Sequence, residues 1–127
     1  MTEEDAKMMG RTHLTNLDDL TALGAEVRRR GFKALKTNIF LFGEDPPRHF
    51  PGFARGPGWP ELNADKKLVD ALRAQLSALR EGAGPDTGIL LDLNFNFKTE
   101  GYLQICRDLD DLGLFWFEID LYDPDAL

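Results

Sequence analysis

The sequence has one cysteine, Cys106, only two histidines, and no excess of positive charge. A single cysteine cannot close an intrachain disulfide, which excludes a disulfide-stapled secreted scaffold and makes a reducing, cytoplasmic setting the expectation. Lys plus Arg is 15 against 22 for Asp plus Glu, a formal net charge of -7. A protein that holds nucleic acid by neutralising phosphates shows the opposite balance, so no nucleic-acid partner is expected. No apolar run approaches the roughly 18 residues needed to cross a bilayer, so no membrane partner is expected either. The opening Met1-Thr2-Glu3-Glu4-Asp5 is acidic where a secretory signal is basic. His13 and His49 have no second ligand-type residue at metal spacing and are read as surface or loop-packing residues. What is present is 43% hydrophobic and 29% charged over 127 residues, enough apolar side chain to pack a core as one domain or a piece of a larger one.

Three amphipathic segments are each followed by a strand-like run. The first helix is expected over Leu17 to Arg30, capped by Thr15 or Asn16, with Asp18 and Asp19 in its first turn and Gly31 as its stop. Leu17, Leu20, Leu23 or Gly24, and Val27 make its apolar stripe. A short strand follows, ending near Asn38. The stretch from Phe42 to Pro60 holds five of the seven prolines and four glycines, so it is expected to be irregular. A second helix is expected from Asn63 or Ala64, with Leu68, Leu72, Leu76 and Leu79 at helical spacing and Gly82 after it. Ile89 to Asn94 reads as a strand buried on both faces. Thr99 is expected to cap a third helix through Leu112, striped by Leu103, Cys106, Leu109 and Leu112, which makes Cys106 a buried, inert thiol. Leu114 to Ile119 is an apolar, aromatic strand, with Trp116 and its flanking phenylalanines in the core. Asp123 to Leu127 reads as the first turn of a further helix. Repeated helix-strand alternation predicts an α/β fold with a parallel sheet.

In parallel α/β proteins the chemistry gathers at the C-terminal ends of the strands. Lys36 and Asn38 stand at the end of the first strand, Asp92 and Asn94 at the second, Glu118 at the third. Asp92 and Glu118 are one βαβ crossover apart, so on neighbouring strands both carboxylates reach one mouth. Two carboxylates converging in an apolar setting repel each other, and a hard divalent cation such as Mg²⁺ relieves that repulsion. The plain alternative is that each acid is a turn or cap residue. A further alternative is a stand-alone α/β cation-binding or signalling domain without turnover.

The same residues resemble a known family. Gly31-Phe32-Lys33-Ala34-Leu35-Lys36-Thr37-Asn38 looks like the second-strand segment of the mandelate racemase and muconate lactonizing enzymes of the enolase superfamily, where a G-F-x-x-x-K-x-K pattern is typical. Leu91-Asp92-Leu93-Asn94 is similar to the D-x-N at the third barrel strand of that family, and Leu112 to Glu118 resembles the approach to its second metal ligand. The resemblance spans about Thr15 to Leu127. It implies a partial (β/α) TIM-like barrel of about three parallel βα units. It implies, too, that residues 1–127 are a segment of the C-terminal barrel domain, without the N-terminal capping domain and the later barrel strands. A full barrel takes roughly 250 residues.

By the same resemblance, Asp92 and Glu118 are two of three carboxylate ligands for Mg²⁺, Lys36 sits by the substrate carboxylate, and Asn94 is the polar residue after the first ligand. The implied parent is a Mg-dependent enzyme, a lyase (dehydratase) or an isomerase (racemase), that removes the proton α to the carboxylate of a small molecule such as an acid sugar. The isolated chain is expected to be catalytically incomplete, with the third ligand and the general base outside it, and to form a homo-oligomer. Three departures from the pattern matter. Asn38 replaces the second lysine and cannot take a proton at neutral pH, a K-x-N pattern similar to the galactonate-dehydratase branch. Asn94 stands where that branch tends to carry a histidine, and Glu118-Ile119-Asp120 replaces the usual Glu-Glu-Pro ending. The proline-rich segment resembles an enlarged loop over the barrel mouth and is expected to act as a lid or specificity loop, or as an oligomer contact.

Overall fold

Residues 13–43, 48–50 and 64–120 are described by the structure, a computed structural model. In chain order the elements are α1 (Leu17–Arg29), β1 (Ala34–Thr37), β2 (Ile39–Leu41), β3 (Arg48–Phe50), α2 (Lys66–Ala83), β4 (Gly88–Asp92), α3 (Thr99–Asp108), a 3₁₀ turn (Asp110–Leu112) and β5 (Trp116–Glu118). Most of the expected lid, at 44–47 and 51–60, lies outside the described residues, as do the expected helix start at Asn63 and the tail turn at 123–127.

α1 begins as its sequence predicts. The Asn16 side chain accepts the Asp19 amide at 3.0 Å, while the Asp19 carboxylate accepts from the Thr15 amide and hydroxyl, each at 2.8 Å. Those two bonds from Thr15 hold Asp19 below the usual carboxylate range. Gly31, at φ 79°, takes the left-handed turn after the helix, a conformation that costs a residue with a Cβ about 1–2 kcal/mol. α2 is capped by Asp65, which accepts the Leu68 amide at 2.7 Å, and its leucines 68, 72, 76 and 79 are all buried.

Gly82 departs from expectation. It lies inside α2 rather than ending it, and Gly84, at φ 82°, makes the turn instead. The reason is packing between helices. A Cβ on Gly82 would lie 1.9 Å from the Thr21 carbonyl oxygen of α1, and a Cβ on Gly24 would lie 2.4 Å from the Leu79 carbonyl oxygen of α2. α1 and α2 therefore meet backbone against backbone, with a glycine from each at the crossing.

β1, β4 and β5 form one parallel sheet in the order β1-β4-β5. The parallel prediction holds, with α2 crossing between β1 and β4, and α3 between β4 and β5. Past β1 the chain is more regular than expected: β2, just before the proline-rich segment, pairs antiparallel with β3 inside it, Phe40 opposite His49. The prolines permit this because Pro46 and Pro47 fall between the two strands and Pro51 just after them, so no ladder amide is lost.

α3 is shorter than expected. It stops at Asp108, and the 3₁₀ turn leads to Gly113 at φ 58°. Lys98, not Thr99, occupies the cap position and makes no side-chain cap bond. The buried face is Gly101, Tyr102, Ile105 and Leu109, rotated one residue from the expected stripe, because Tyr102 is the bulky side chain that reaches the core. Cys106 is consequently half-buried rather than enclosed. β5 also differs: Phe115, just before it, is 68% exposed and Trp116 53%, Trp116 projecting from the sheet face opposite to that of Phe117, which packs against the core. No helix among the described residues is long and apolar enough to cross a membrane.

Candidate metal and substrate site

Asp92 is the last residue of β4 and Glu118 the last of β5, and the two are register partners. Side chains alternate faces along a strand, so register partners on adjacent strands project to the same side. Lys36, next to last in β1, completes the group. Its Nζ lies 2.9 Å from Asp92 Oδ2 and 2.9 Å from Glu118 Oε2. Because one ammonium reaches both oxygens, the carboxylates converge on a single point at the strand ends.

The two asparagines form the other half of the site. Asn94 adopts φ 47°, an unusual left-handed conformation that asparagine tolerates better than most side chains. From there its backbone amide donates to Asp92 Oδ1 at 3.0 Å, and its side-chain amide donates to the same oxygen. Asn38, just past β1, donates from Nδ2 to Asn94 Oδ1 at 3.0 Å and to the Asp92 carbonyl at 3.5 Å. Asp92 is thereby divided in role: Oδ1 is held by Asn94, and Oδ2 faces the cation. All five residues singled out in the sequence, Lys36, Asn38, Asp92, Asn94 and Glu118, come together at one end of the sheet.

Burial differs across the group. The Asp92 side chain is 7% exposed, that of Glu118 35% and that of Lys36 48%. Hydrogen bonding first to Asp92 and then to Glu118 holds the Lys36 ammonium well above the ordinary lysine range. Asp120 is pushed above the usual carboxylate range by burial and then by the negative charges of Asp92 and Glu118. The Asp92 and Glu118 carboxylates share one ammonium, and the Asp120 carboxylate lies within their field, so the mouth favours added positive charge. Hard, oxygen-only donors suit Mg²⁺, and the ammonium already stands where a cation satisfies both acids. Among the described residues no group of three His, Cys, Asp or Glu side chains is arranged to hold a metal.

Two residues near the site were not singled out in the sequence. Gln75, fully buried on α2, bonds to the chain between β1 and β2. Its signal was a polar residue at the helical spacing of the Leu68-Leu72-Leu76-Leu79 stripe. Tyr102 is fully buried, donates to the Asn94 carbonyl, and lies 3.3 Å from the Asp120 carbonyl. It ties the turn after β4 to the chain leaving β5. Its signal was a second apolar series in α3, at 102, 105 and 109. Of the expected histidines, His13 is half-buried before α1, and the side chain of His49 lies outside the described residues. A cleft of about 500 Å³, lined in part by Lys33, Gly88 and Phe115, opens at the opposite, N-terminal ends of the strands. It is away from the converging acids, so the acids and not the cleft mark the candidate site.

Residues 19–124 match the family model described as enolase C-terminal domain-like. The chain is 54% identical, with a TM-score of 0.81, to a Burkholderia xenovorans strain LB400 protein that carries the name L-alanine-DL-glutamate epimerase and was solved with magnesium and fumarate bound. That match covers 89% of this chain and 28% of the other. A mandelate racemase/muconate lactonizing enzyme-like protein from Rubrobacter xylanophilus DSM 9941 matches at 22% identity and TM-score 0.66, over 90% of this chain and 27% of its own. A protein named a dehydratase, from Salmonella Typhimurium, matches at 16% identity and TM-score 0.73, over 89% of this chain and 28% of its own. The last two likenesses bear on the fold alone. No curated protein matches the chain. The chain spans under a third of the length of these solved relatives, and its three parallel strands and three helices correspond to an arc of their barrel.

Proposed function

The chain belongs to the mandelate racemase/muconate lactonizing enzyme family of the enolase superfamily, and from that membership we propose that it forms part of a Mg-dependent enzyme that removes the proton α to a carboxylate. The observation that carries this reading is the convergence of Asp92 Oδ2 and Glu118 Oε2 on one cation at the strand ends. In this reading Asp92 and Glu118 hold Mg²⁺, with further ligands drawn from beyond this pair. When bound, Mg²⁺ supplies Lewis-acid stabilisation for negative charge developing on a substrate carboxylate.

The chain's own residues have distinct tasks. Asn94 fixes Asp92 through Oδ1 and leaves Oδ2 for the ion. Lys36, held as an ammonium, offers positive charge to a substrate carboxylate and is unsuited to accept a proton. Asn38 cannot act as a base; its amide is a polar contact at the mouth. The proton acceptor is therefore another group.

Within the family, an epimerase or racemase of a small carboxylate comes first. Support for it is the 54% identity to the protein named an epimerase, against 16% to the protein named a dehydratase. A dehydratase of an acid sugar is the second reading, supported by the Lys36-Thr37-Asn38 pattern. An NMR experiment in D₂O with Mg²⁺, on a polypeptide that includes this chain, separates them. Loss of the α-proton of L-Ala-L-Glu without change of mass beyond deuterium supports epimerisation. Release of water from galactonate supports dehydration. Exchange with neither, together with fumarate binding that ignores Mg²⁺, would remove the enzymatic reading.

A further inference from the structure

We propose that Gln75 is a positioning residue that sets Asn38, and through Asn94 the carboxylate of Asp92, from the buried face of α2. The inference rests on the metal reading of Asp92 given above. Gln75 is fully buried on a helix face whose other buried residues, Leu68, Leu72, Leu76 and Leu79 among them, are all apolar. Burying an amide is unfavourable unless its donors and acceptor are matched, and here each is. Oε1 accepts the Phe40 amide at 3.0 Å, and Nε2 donates to Thr37 Oγ1 at 2.9 Å and to the Asn38 carbonyl at 2.6 Å.

The location gives those bonds their meaning. Asn38 is the residue between β1, which belongs to the parallel sheet, and β2, which belongs to the hairpin. At such a junction the strand ladders leave the peptide underdetermined. Gln75 supplies the missing constraint by gripping the chain on both sides of Asn38 and at Asn38 itself. With its carbonyl pinned toward α2, Asn38 turns its side chain to Asn94 Oδ1, and Asn94 in turn donates twice to Asp92 Oδ1. A continuous series of hydrogen bonds thus runs from the core face of α2 to the carboxylate at the mouth. Outer partners of this kind orient ligands and tune metal affinity.

The test uses Gln75→Leu in the full chain, a change that keeps the α2 face apolar. The circular dichroism spectrum should be retained, and exchange of the Asn38 side-chain amide protons, read by NMR, should accelerate. The Mg²⁺ dissociation constant by calorimetry should rise about tenfold, the low end for loss of an outer partner. In an Asn38→Ala background the same substitution should leave Mg²⁺ affinity unchanged, which a general loosening of the core would not do. Should Gln75→Leu fail to fold, Thr37→Val removes one anchor of the same amide and should move Asn38 exchange in the same direction. Unchanged Asn38 exchange in the folded variant, or an undiminished further loss of affinity in the Asn38→Ala background, overturns the proposal. If a polypeptide that includes this chain together with its missing ligands takes up no Mg²⁺, the metal reading fails by itself, and Asn38 exchange still decides whether Gln75 sets Asn38.

Discussion

Asp92 and Glu118 stand opposite each other at the ends of adjacent parallel strands, and Lys36 bridges them from the third. This relationship means that the chain already holds the two acids in convergent geometry with a cation between them. The repulsion between the acids is offset locally by the ammonium. A divalent ion at the same place competes with Lys36 for the same oxygens.

Lys36→Met should therefore have two effects of opposite sign. Without added metal it should lower stability by about 1 kcal/mol, the upper end for a half-exposed ion pair after solvent screening. It should also tighten Mg²⁺ binding, because the competing cation is gone. Urea denaturation with and without Mg²⁺ checks both, and Mg²⁺ should restore more stability to the variant than to the unmodified chain. Weaker Mg²⁺ binding in the variant would mean that Lys36 does not compete for the pair.

Gly82→Ala should lower stability by about 2–3 kcal/mol, because a Cβ there meets the backbone of α1 and the helices must separate. Gly43→Ala is the control: among the described residues nothing lies within 4 Å of its Cβ position, and the change should stay within about 0.5 kcal/mol. Chemical denaturation midpoints measure both. A neutral Gly82→Ala would show that the helices do not pack backbone to backbone.

Cys106 titrates above the ordinary thiol range because burial disfavours its thiolate. The folded state thus retains the proton where the unfolded chain releases it. The associated stability is fully present below the unfolded thiol value of about 8.5 and is lost as pH rises through the folded one. Iodoacetamide labelling against pH should show a midpoint for the native chain above that of the urea-unfolded chain. A native midpoint at or below the unfolded one would contradict burial as the cause.

The parallel sheet and the candidate residues Asp92, Asn94 and Glu118 were legible in the sequence because apolar runs ending in a polar residue mark strand ends directly, whereas Lys36 and Asn38 end a short, mixed run placed only by the helix stop before it. Asp92 and Glu118 sit where such runs stop. What could not be read depends on the partner of a residue and not on its neighbours. Gly82 looks like a helix stop until α1 is seen crossing it. The apolar residues of α3 fit two stripes, and the need to bury Tyr102 selects the one that leaves Cys106 half-covered. Trp116 has core chemistry but lies on the sheet face opposite to that of Phe117, and only the face of Phe117 packs against the core. Gln75 was readable only as a polar interruption of a leucine face, and its role required knowing that the end of β1 passes beneath it.

The convergence of the two acids on a metal is tested most directly by Mg²⁺ calorimetry on the unmodified chain, Asp92→Asn and Glu118→Gln, with folding of each checked by circular dichroism. The expected result is a single Mg²⁺ site in the unmodified chain, with affinity at least about tenfold weaker in either variant. Folded variants that bind Mg²⁺ as tightly as the unmodified chain would contradict a metal site built on Asp92 and Glu118.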